Sequence, residues 1–163
     1  MSNKEIKMEI PIKIGEATLS DLEEILAIEE SNFSADEAVS RQFLEECIRK
    51  SAGTFLVARD KNQLVGYILG SERLDSSSLR HGFIDIQSLS IHPDYQGQGL
   101  GTLLIAALKE VAVVQGRPGI YLACRDELIS YYEMNGFIDE GLDFTHCSTA
   151  KFNLVWDNPF YQE

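Results

Sequence analysis

The alternation of apolar and polar positions divides this chain into short strands and amphipathic helices. Apolar residues at every second position predict strands, and apolar residues three or four positions apart predict helices. Strands are predicted at 10–14, 54–59, 64–70, 82–91, 119–124, 137–145 and 151–156, with helices opening at 18–21 and spanning 36–50, 100–114 and 127–135. This order, β-α-α-β-β-β-α-β-α-β-β, predicts an α/β fold with one mixed central sheet and helices on both of its faces.

The connections between these elements carry their own signals. Ser20 precedes a helical apolar pattern and is the expected N-cap of the first helix. Residues 60–63 predict a hairpin turn between the second and third strands. The serine-rich segment 71–80 predicts a loop.

Length and charge narrow the class of protein. A chain of 163 residues predicts a single domain over 1–163, with its core at about 10–156. The net charge of -12 argues against nucleic-acid partners and against a polybasic membrane contact. No apolar run reaches the roughly 18 residues of a membrane span. Three cysteines without a CxxC pair are typical of free thiols in a reducing, cytoplasmic setting, and no residue grouping has the spacing of metal ligands.

The most informative segment is a strand that leads through a glycine-rich turn into a helix. Strand 84–91 is followed by His92-Pro93-Asp94-Tyr95 and then by 96–102, Gln-Gly-Gln-Gly-Leu-Gly-Thr. Glycines let a ligand approach the backbone, and the free N–H groups of a helix start attract phosphate without any basic side chain. Neither the P-loop nor the dinucleotide-binding pattern fits these glycines. A turn used only for tight packing stays open as the alternative.

The Gln-x-x-Gly-x-Gly pattern of this turn resembles the pyrophosphate-binding motif of the GNAT acetyltransferase superfamily. Residues 131–137 resemble that family's Tyr-x-x-x-Gly-Phe signature, and residues 64–71 resemble its strand before the central one. Within the superfamily, residues 28–33, 64–71, 89–92 and 124–128 are most similar to the serotonin (arylalkylamine) N-acetyltransferase group. The resemblance covers about 10–156 and implies a GNAT-like single domain.

The resemblance implies acetyl-coenzyme A as co-substrate, with no metal. The backbone N–H of Leu89 is expected to meet the thioester carbonyl, and 89–91 to pair with the pantetheine arm as an added strand. The implied cofactor-binding residues are Leu89, Ser90, Ile91, Gln96, Gly97, Gln98, Gly99, Leu100, Gly101 and Thr102. Tyr132, four residues before Gly136, is implied as the general acid that protonates the departing thiolate; the alternative is a tyrosine that packs the cofactor wall.

The general base is where the sequence departs from the serotonin enzyme. Asp85 and Gln87 stand at the positions of its two strand histidines, and an amide cannot titrate. Asp85 could accept a proton through water or could bind the substrate ammonium, and both interpretations stay open. Cys124, on the strand that faces the thioester in the family, is interpreted as a small packed residue rather than as an acyl carrier.

The acceptor side is implied by fewer residues. Phe33 matches an aromatic wall of the arylalkylamine pocket, with a core position as the alternative, and Gln87 and His146 are the other expected substrate contacts. The acidic residues Glu29, Glu30 and Asp36 favour a cationic acceptor, unless they form a solvated helix face.

The expected function is therefore transfer of an acetyl group from acetyl-coenzyme A to a small primary amine, such as an arylalkylamine or another cationic amine. The alternatives are a GNAT enzyme acting on a protein N-terminus, a polyamine or an aminoglycoside, and a module that binds coenzyme A without turnover. Exposed edge strands in such a fold are compatible with a homodimer.

Overall fold

The computed structural model describes residues 11–72, 80–142 and 151–162. Within these ranges the strands are β1 (Lys13–Glu16), β2 (Phe55–Asp60), β3 (Gln63–Glu72), β4 (Ile84–Ile91), β5 (Gly119–Cys124), β6 (Ile138–Leu142) and β7 (Phe152–Asp157). The α-helices are α1 (Leu22–Asn32), α2 (Arg41–Lys50), α3 (Leu100–Val114) and α4 (Ile129–Met134). The predicted order of elements is confirmed.

The seven strands form one mixed sheet in the order β1-β2-β3-β4-β5-β7-β6. Strand β4 runs parallel to β5, whereas the β1–β2, β2–β3, β5–β7 and β6–β7 pairs are antiparallel. The fold divides into two compact units. The first combines the chain up to Leu69 with Ser88–Leu108, and the second combines Gly70–Gln87 with the chain from Lys109 onward. The prediction that 1–163 is a single domain stays a prediction.

In the first unit, helices pack on both faces of the β2–β3 hairpin. The inward-facing Val57 and Tyr67 belong to an apolar cluster with residues of α1 and α2 such as Ile25 and Leu44. On the other face, a Cβ at Gly66 would lie 2.9 Å from Ile91 Cδ1 of β4 and at an ordinary contact distance of 3.4 Å from Leu104 Cδ1 of α3. Because successive side chains of a strand point to opposite faces, α1 and α2 pack on one face of the hairpin and α3 packs on the other.

In the second unit, β5, β6 and β7 form an antiparallel ladder beside the end of α3. Lys109 Nζ donates a hydrogen bond to the Asn135 carbonyl and lies 5.6 Å and 5.3 Å from the ring centroids of Phe137 and Trp156. Burial lowers the pKa of this ammonium. Lys109 thereby fixes the turn that follows α4.

Two predicted boundaries differ from the structure. The N-cap is not Ser20: Thr18 precedes a 3-10 turn (Leu19–Asp21), and its N–H donates to Asp21 Oδ2 at 2.8 Å. Helix α2 begins at Arg41 rather than at residue 36, because Ser40 Oγ accepts the Phe43 N–H at 3.1 Å and caps the helix there. A capping hydrogen bond outweighs the weak helical pattern of 36–40.

The remaining boundaries shift by a few residues. Ser71 and Glu72 extend β3 into the predicted loop, and β6 ends its described part at Leu142. The expected substrate residue His146 lies outside the described residues. None of the helices in the described ranges is long and apolar enough to span a membrane.

Candidate active site

The glycine turn at the start of α3 has the backbone geometry that its sequence predicts. Gly97 and Gly99 have φ values of 78° and 85°, in the left-handed region that favours glycine. A Cβ at either position would have no protein atom within 4 Å. The turn therefore does not use these two glycines for tight packing, and that alternative is wrong for them.

Helix α3 opens directly after this turn, at Leu100. The Leu103 N–H donates to the Gly99 carbonyl at 3.0 Å, which is the first bond of the helix after its free N–H groups. The open side of the turn and the helix start together offer backbone donors to an anion. This arrangement can bind phosphate in a chain whose net charge is -12.

The segment between β4 and the turn is fixed by hydrogen bonds of its own. The His92 N–H donates to the Val65 carbonyl at 2.8 Å, and His92 Nδ1 accepts the Asp94 N–H at 3.1 Å. The Tyr95 hydroxyl donates to Asp60 Oδ2 at 2.7 Å. This bond, together with burial, raises the pKa of Tyr95 to about 12. His92 is thus a structural residue.

Gln96, the first residue of the motif, is exposed, and its side chain hydrogen-bonds to two neighbouring segments. Its Nε2 donates to Asn32 Oδ1 and to the Ile91 carbonyl, each at 3.0 Å. Asn32 Nδ2 in turn donates to Ser90 Oγ and to the same Ile91 carbonyl, each at 2.7 Å. Two side-chain amides therefore join the end of α1, the end of β4 and the glycine turn.

One helical turn before Asn32, a buried carboxylate contacts the same strand. Glu29 is 2% exposed, and its Oε1 accepts hydrogen bonds from the Tyr67 hydroxyl and from Ser88 Oγ, the latter at 3.2 Å. Its Oε2 accepts the Val39 N–H at 2.9 Å. Burial and the bond to Glu29 raise the pKa of Tyr67. Among the described residues Glu29 has no ion-pair partner.

Sequence reasoning missed this polar face of α1. The sequence predicts that Glu29 favours a cationic acceptor or belongs to a solvated helix face, yet Glu29 is buried, while Glu30 and Asp36 are exposed. The signal was available, since Leu22, Ile25, Glu29 and Asn32 recur at intervals of three, four and three residues. A polar residue at an apolar-face spacing indicates a buried hydrogen-bonded group.

In the second unit, Tyr132 lies on α4 and is 8% exposed. Its ring packs edge-on against Tyr131 and Phe137, with centroids 5.2 Å and 5.7 Å away. Burial raises its pKa, and the neighbouring Tyr131 and Cys124 add to that effect. The phenol is therefore protonated throughout the neutral range, as a proton donor must be.

The strand residues expected on the acceptor side differ in exposure. Asp85 is half-buried and stands in register with Tyr121 of the parallel strand β5. Gln87 is exposed, and its Nε2 donates to Ser71 Oγ at 3.1 Å. In the first unit, Phe33 ends α1 and is 37% exposed, so the alternative of a core position is wrong.

The cysteine chemistry is also constrained. Cys124 is buried, and burial is the main cause that raises the pKa of its thiol to about 11. A thiol at neutral pH is a poor nucleophile, which favours the interpretation of a packed residue. Within the described ranges, no group of three or more His, Cys, Asp or Glu residues could hold a metal ion.

Comparison with known proteins identifies the family. A model of the acetyltransferase (GNAT) family matches residues 19–137, which is more than half of the chain. The chain belongs to this family. It is a GNAT acetyltransferase, and the predicted superfamily and fold are confirmed.

Individual relatives agree with this assignment. The chain is 29% identical over 120 residues to an acetyltransferase of Pectobacterium atrosepticum, covering 72% of this chain and 77% of the relative. Its fold is similar to that of the ribosomal-protein-S18-alanine N-acetyltransferase of Escherichia coli, with a TM-score of 0.73, 17% identity and coverage of 93% and 96%. It is also similar to the PaiA N-acetyltransferase of Thermoplasma acidophilum, solved with coenzyme A, with a TM-score of 0.72, 19% identity and coverage of 91% and 99%. At such identities the two structures show the fold alone.

Proposed function

We propose that this GNAT acetyltransferase transfers an acetyl group from acetyl-coenzyme A to a small primary amine, with an arylalkylamine or a related cationic amine as the acceptor class. The observation that carries the proposal is the turn at Gly97 and Gly99, which is left-handed, open on its outer side and followed at once by helix α3. Its backbone suits a pyrophosphate group. The assignment to arylalkylamines rests on the resemblance to the serotonin enzyme group.

In this proposal, acetyl-coenzyme A supplies the thioester and the first unit binds it. Residues 96–102 hold the pyrophosphate through backbone N–H groups, and 89–91 pair with the pantetheine arm. The Leu89 N–H polarises the thioester carbonyl by donating a hydrogen bond to it. A thermal shift of the purified protein with coenzyme A is the first test, and a protein whose Tm does not move would contradict the proposal.

Tyr132 is the proposed general acid. Its buried phenol is protonated at neutral pH, as the donor of a proton to the departing thiolate must be. Tyr132→Phe keeps the ring contacts with Tyr131 and Phe137. We expect kcat to fall about 100-fold while the affinity for coenzyme A changes little. Tyr131→Phe is the matched control, and an unchanged kcat in Tyr132→Phe would remove Tyr132 from the mechanism.

Asp85 is the proposed acidic group for the acceptor amine, either as the base that removes a proton through water or as the anion that binds the ammonium. The pH dependence of kcat/KM for Asp85→Asn separates the two roles. If Asp85 is the base, Asp85→Asn should lose the acidic limb of the kcat/KM profile, with a modest change in KM. A raised KM for the amine with the acidic limb unaltered is expected of a binding residue.

The acceptor class is tested directly with a panel of amines and thiol release as the readout. Arylalkylamines, polyamines, an aminoglycoside and a peptide with a free N-terminus represent the competing classes. We expect the highest kcat/KM for an arylalkylamine, and replacement of the exposed Phe33 by Ala to raise KM for that amine more than for an aliphatic one. A clear preference for the peptide would move the proposal to protein N-termini. The homodimer and the cytoplasmic location stay predictions.

A further inference from the structure

Asn32, the last residue of helix α1, hydrogen-bonds both to the end of β4 and to the first residue of the glycine turn. Asn32 Nδ2 donates to Ser90 Oγ and to the Ile91 carbonyl at 2.7 Å, while its Oδ1 accepts from Gln96 Nε2 at 3.0 Å. Three of the four hydrogen-bonding positions of this amide are thus used. Each partner lies in the segment 90–96, which leads into the turn.

The contact depends on the orientation of both side-chain amides, those of Asn32 and Gln96. Gln96 Nε2 divides its two hydrogens between Asn32 Oδ1 and the Ile91 carbonyl, at 3.0 Å each. The Ile91 carbonyl therefore accepts from both side chains, and the three groups form a closed ring of hydrogen bonds. Such a ring has one arrangement that satisfies all its members, which limits the conformations available to the chain between β4 and α3.

The glycines next to Gln96 explain why this restraint matters for ligand binding. A Cβ at Gly97 or Gly99 would have no protein atom within 4 Å, so no side chain packs on the side of the turn that a Cβ would occupy. A glycine-rich segment loses much conformational entropy when it becomes ordered. Fixing Gln96 at the entrance of the turn reduces the entropy that would otherwise be lost when an anion binds.

We infer that Asn32 is a positioning residue for the cofactor: through Gln96 it holds the glycine turn in the conformation that binds the pyrophosphate of coenzyme A. The inference rests on the proposed function of the turn. Helix α1 then also contributes to cofactor binding. Phe33, the residue that follows α1, is the proposed wall of the acceptor site. Asn32 itself touches neither the thioester nor the amine in this scheme.

The test compares the dissociation constant of coenzyme A, measured by calorimetry, with kcat at saturating substrates. Asn32→Ala should weaken coenzyme A binding about tenfold, which corresponds to about 1.4 kcal/mol. Its kcat should stay within about threefold, because the reacting groups are unchanged. Asn32→Asp keeps the acceptor for Gln96 but loses the donors to Ser90 and Ile91, and it should give an intermediate affinity. Ser31→Ala, an exposed neighbour that bonds only within α1, is the matched control and should bind as the unaltered protein does.

A double-mutant cycle separates positioning from general stability. Gln96 is exposed, so Gln96→Ala should fold and should reproduce the loss of affinity. The loss of affinity in the variant with both residues replaced should be smaller than the sum of the two single losses, because both side chains belong to one ring of hydrogen bonds. Additive losses, or a lowered Tm with unchanged coenzyme A affinity, would overturn the inference alone. Absence of coenzyme A binding by the unaltered protein would overturn the proposed function together with the inference.

Discussion

The buried carboxylate of Glu29 makes a sharp prediction about the stability of the first unit. Its Oε1 accepts from the hydroxyl of Tyr67, whose side chain is fully buried, and from Ser88 Oγ. Tyr67→Phe removes the hydroxyl but keeps the ring, including its contact with Phe55 at a centroid distance of 5.9 Å. The substitution therefore removes the bond to Glu29 and a longer contact of 3.4 Å to Ser88 Oγ, with little change in apolar burial.

The size of the effect follows from the charge of the acceptor. A hydrogen bond to a charged group contributes about 1.5–3 kcal/mol, against about 1 kcal/mol for a neutral pair. After the substitution, Glu29 keeps the bonds from Ser88 at 3.2 Å and from Val39 at 2.9 Å, so the carboxylate is not left without donors. We expect the free energy of unfolding to fall by about 2 kcal/mol, a large share of the roughly 5–15 kcal/mol typical of a domain.

Urea denaturation measures this loss, and a second tyrosine provides the matched control. The Tyr121 hydroxyl donates to the neutral Asn153 Oδ1 at 2.6 Å, so Tyr121→Phe should cost about 1 kcal/mol. In a Glu29→Gln background, Tyr67→Phe should also cost only about 1 kcal/mol, because the acceptor is then neutral. Equal losses for Tyr67→Phe and Tyr121→Phe, or an unchanged loss in the Glu29→Gln background, would refute the assigned role of the buried charge.

Three further predictions concern two glycine positions of the backbone and the loss of stability at alkaline pH. Gly97→Ala should cost about 1–2 kcal/mol in unfolding free energy because of its φ of 78°, and it should weaken coenzyme A binding. Gly15→Ala is the control. Its Cβ would also meet open space, but its backbone is not left-handed, so the substitution should be neutral within about 0.5 kcal/mol. Gly119→Ala should lower the free energy of unfolding most, by about 3 kcal/mol or more, because its Cβ would overlap a backbone oxygen of β7. The bond to Asp60 and burial raise the pKa of Tyr95 to about 12, above the value near 10 of an unfolded tyrosine, so the unfolded state releases its proton first and stability falls between about pH 10 and 12. Unfolding titrations of Tyr95→Phe should show a shallower alkaline decline, and an identical slope would contradict this assignment.

The order of elements and the family were readable in the sequence because they depend on local patterns. Apolar periodicity separated strands from helices, and glycines before the α3 pattern marked the turn. Helix α3 was predicted with its observed limits, Leu100–Val114, since its apolar face is continuous and the glycine turn precedes it. The limits of α2 were not, because the Ser40 cap competes locally with a longer polar pattern.

The polar network of α1 was decided by tertiary contacts. The helical spacing places Glu29, which is buried, and not Glu30, which is exposed, on the packed side of α1, but it does not identify the side chains that donate to the buried carboxylate. The partners of Glu29 lie 38 and 59 residues away, at Tyr67 and Ser88. Hydrogen bonds over such separations depend on how the sheet and helix pack, which a local pattern does not encode.

The same division applies to the glycine turn. The combination of glycines with a helix start at residues 96–102 is visible in the sequence alone, and it predicts that backbone groups can bind an anion without basic side chains. Only the tertiary structure showed that Gly97 and Gly99 face open space and that Gln96 is engaged by Asn32. Backbone preference is a property of each residue, whereas the space around it and the partner of a side chain are set by segments distant in the chain.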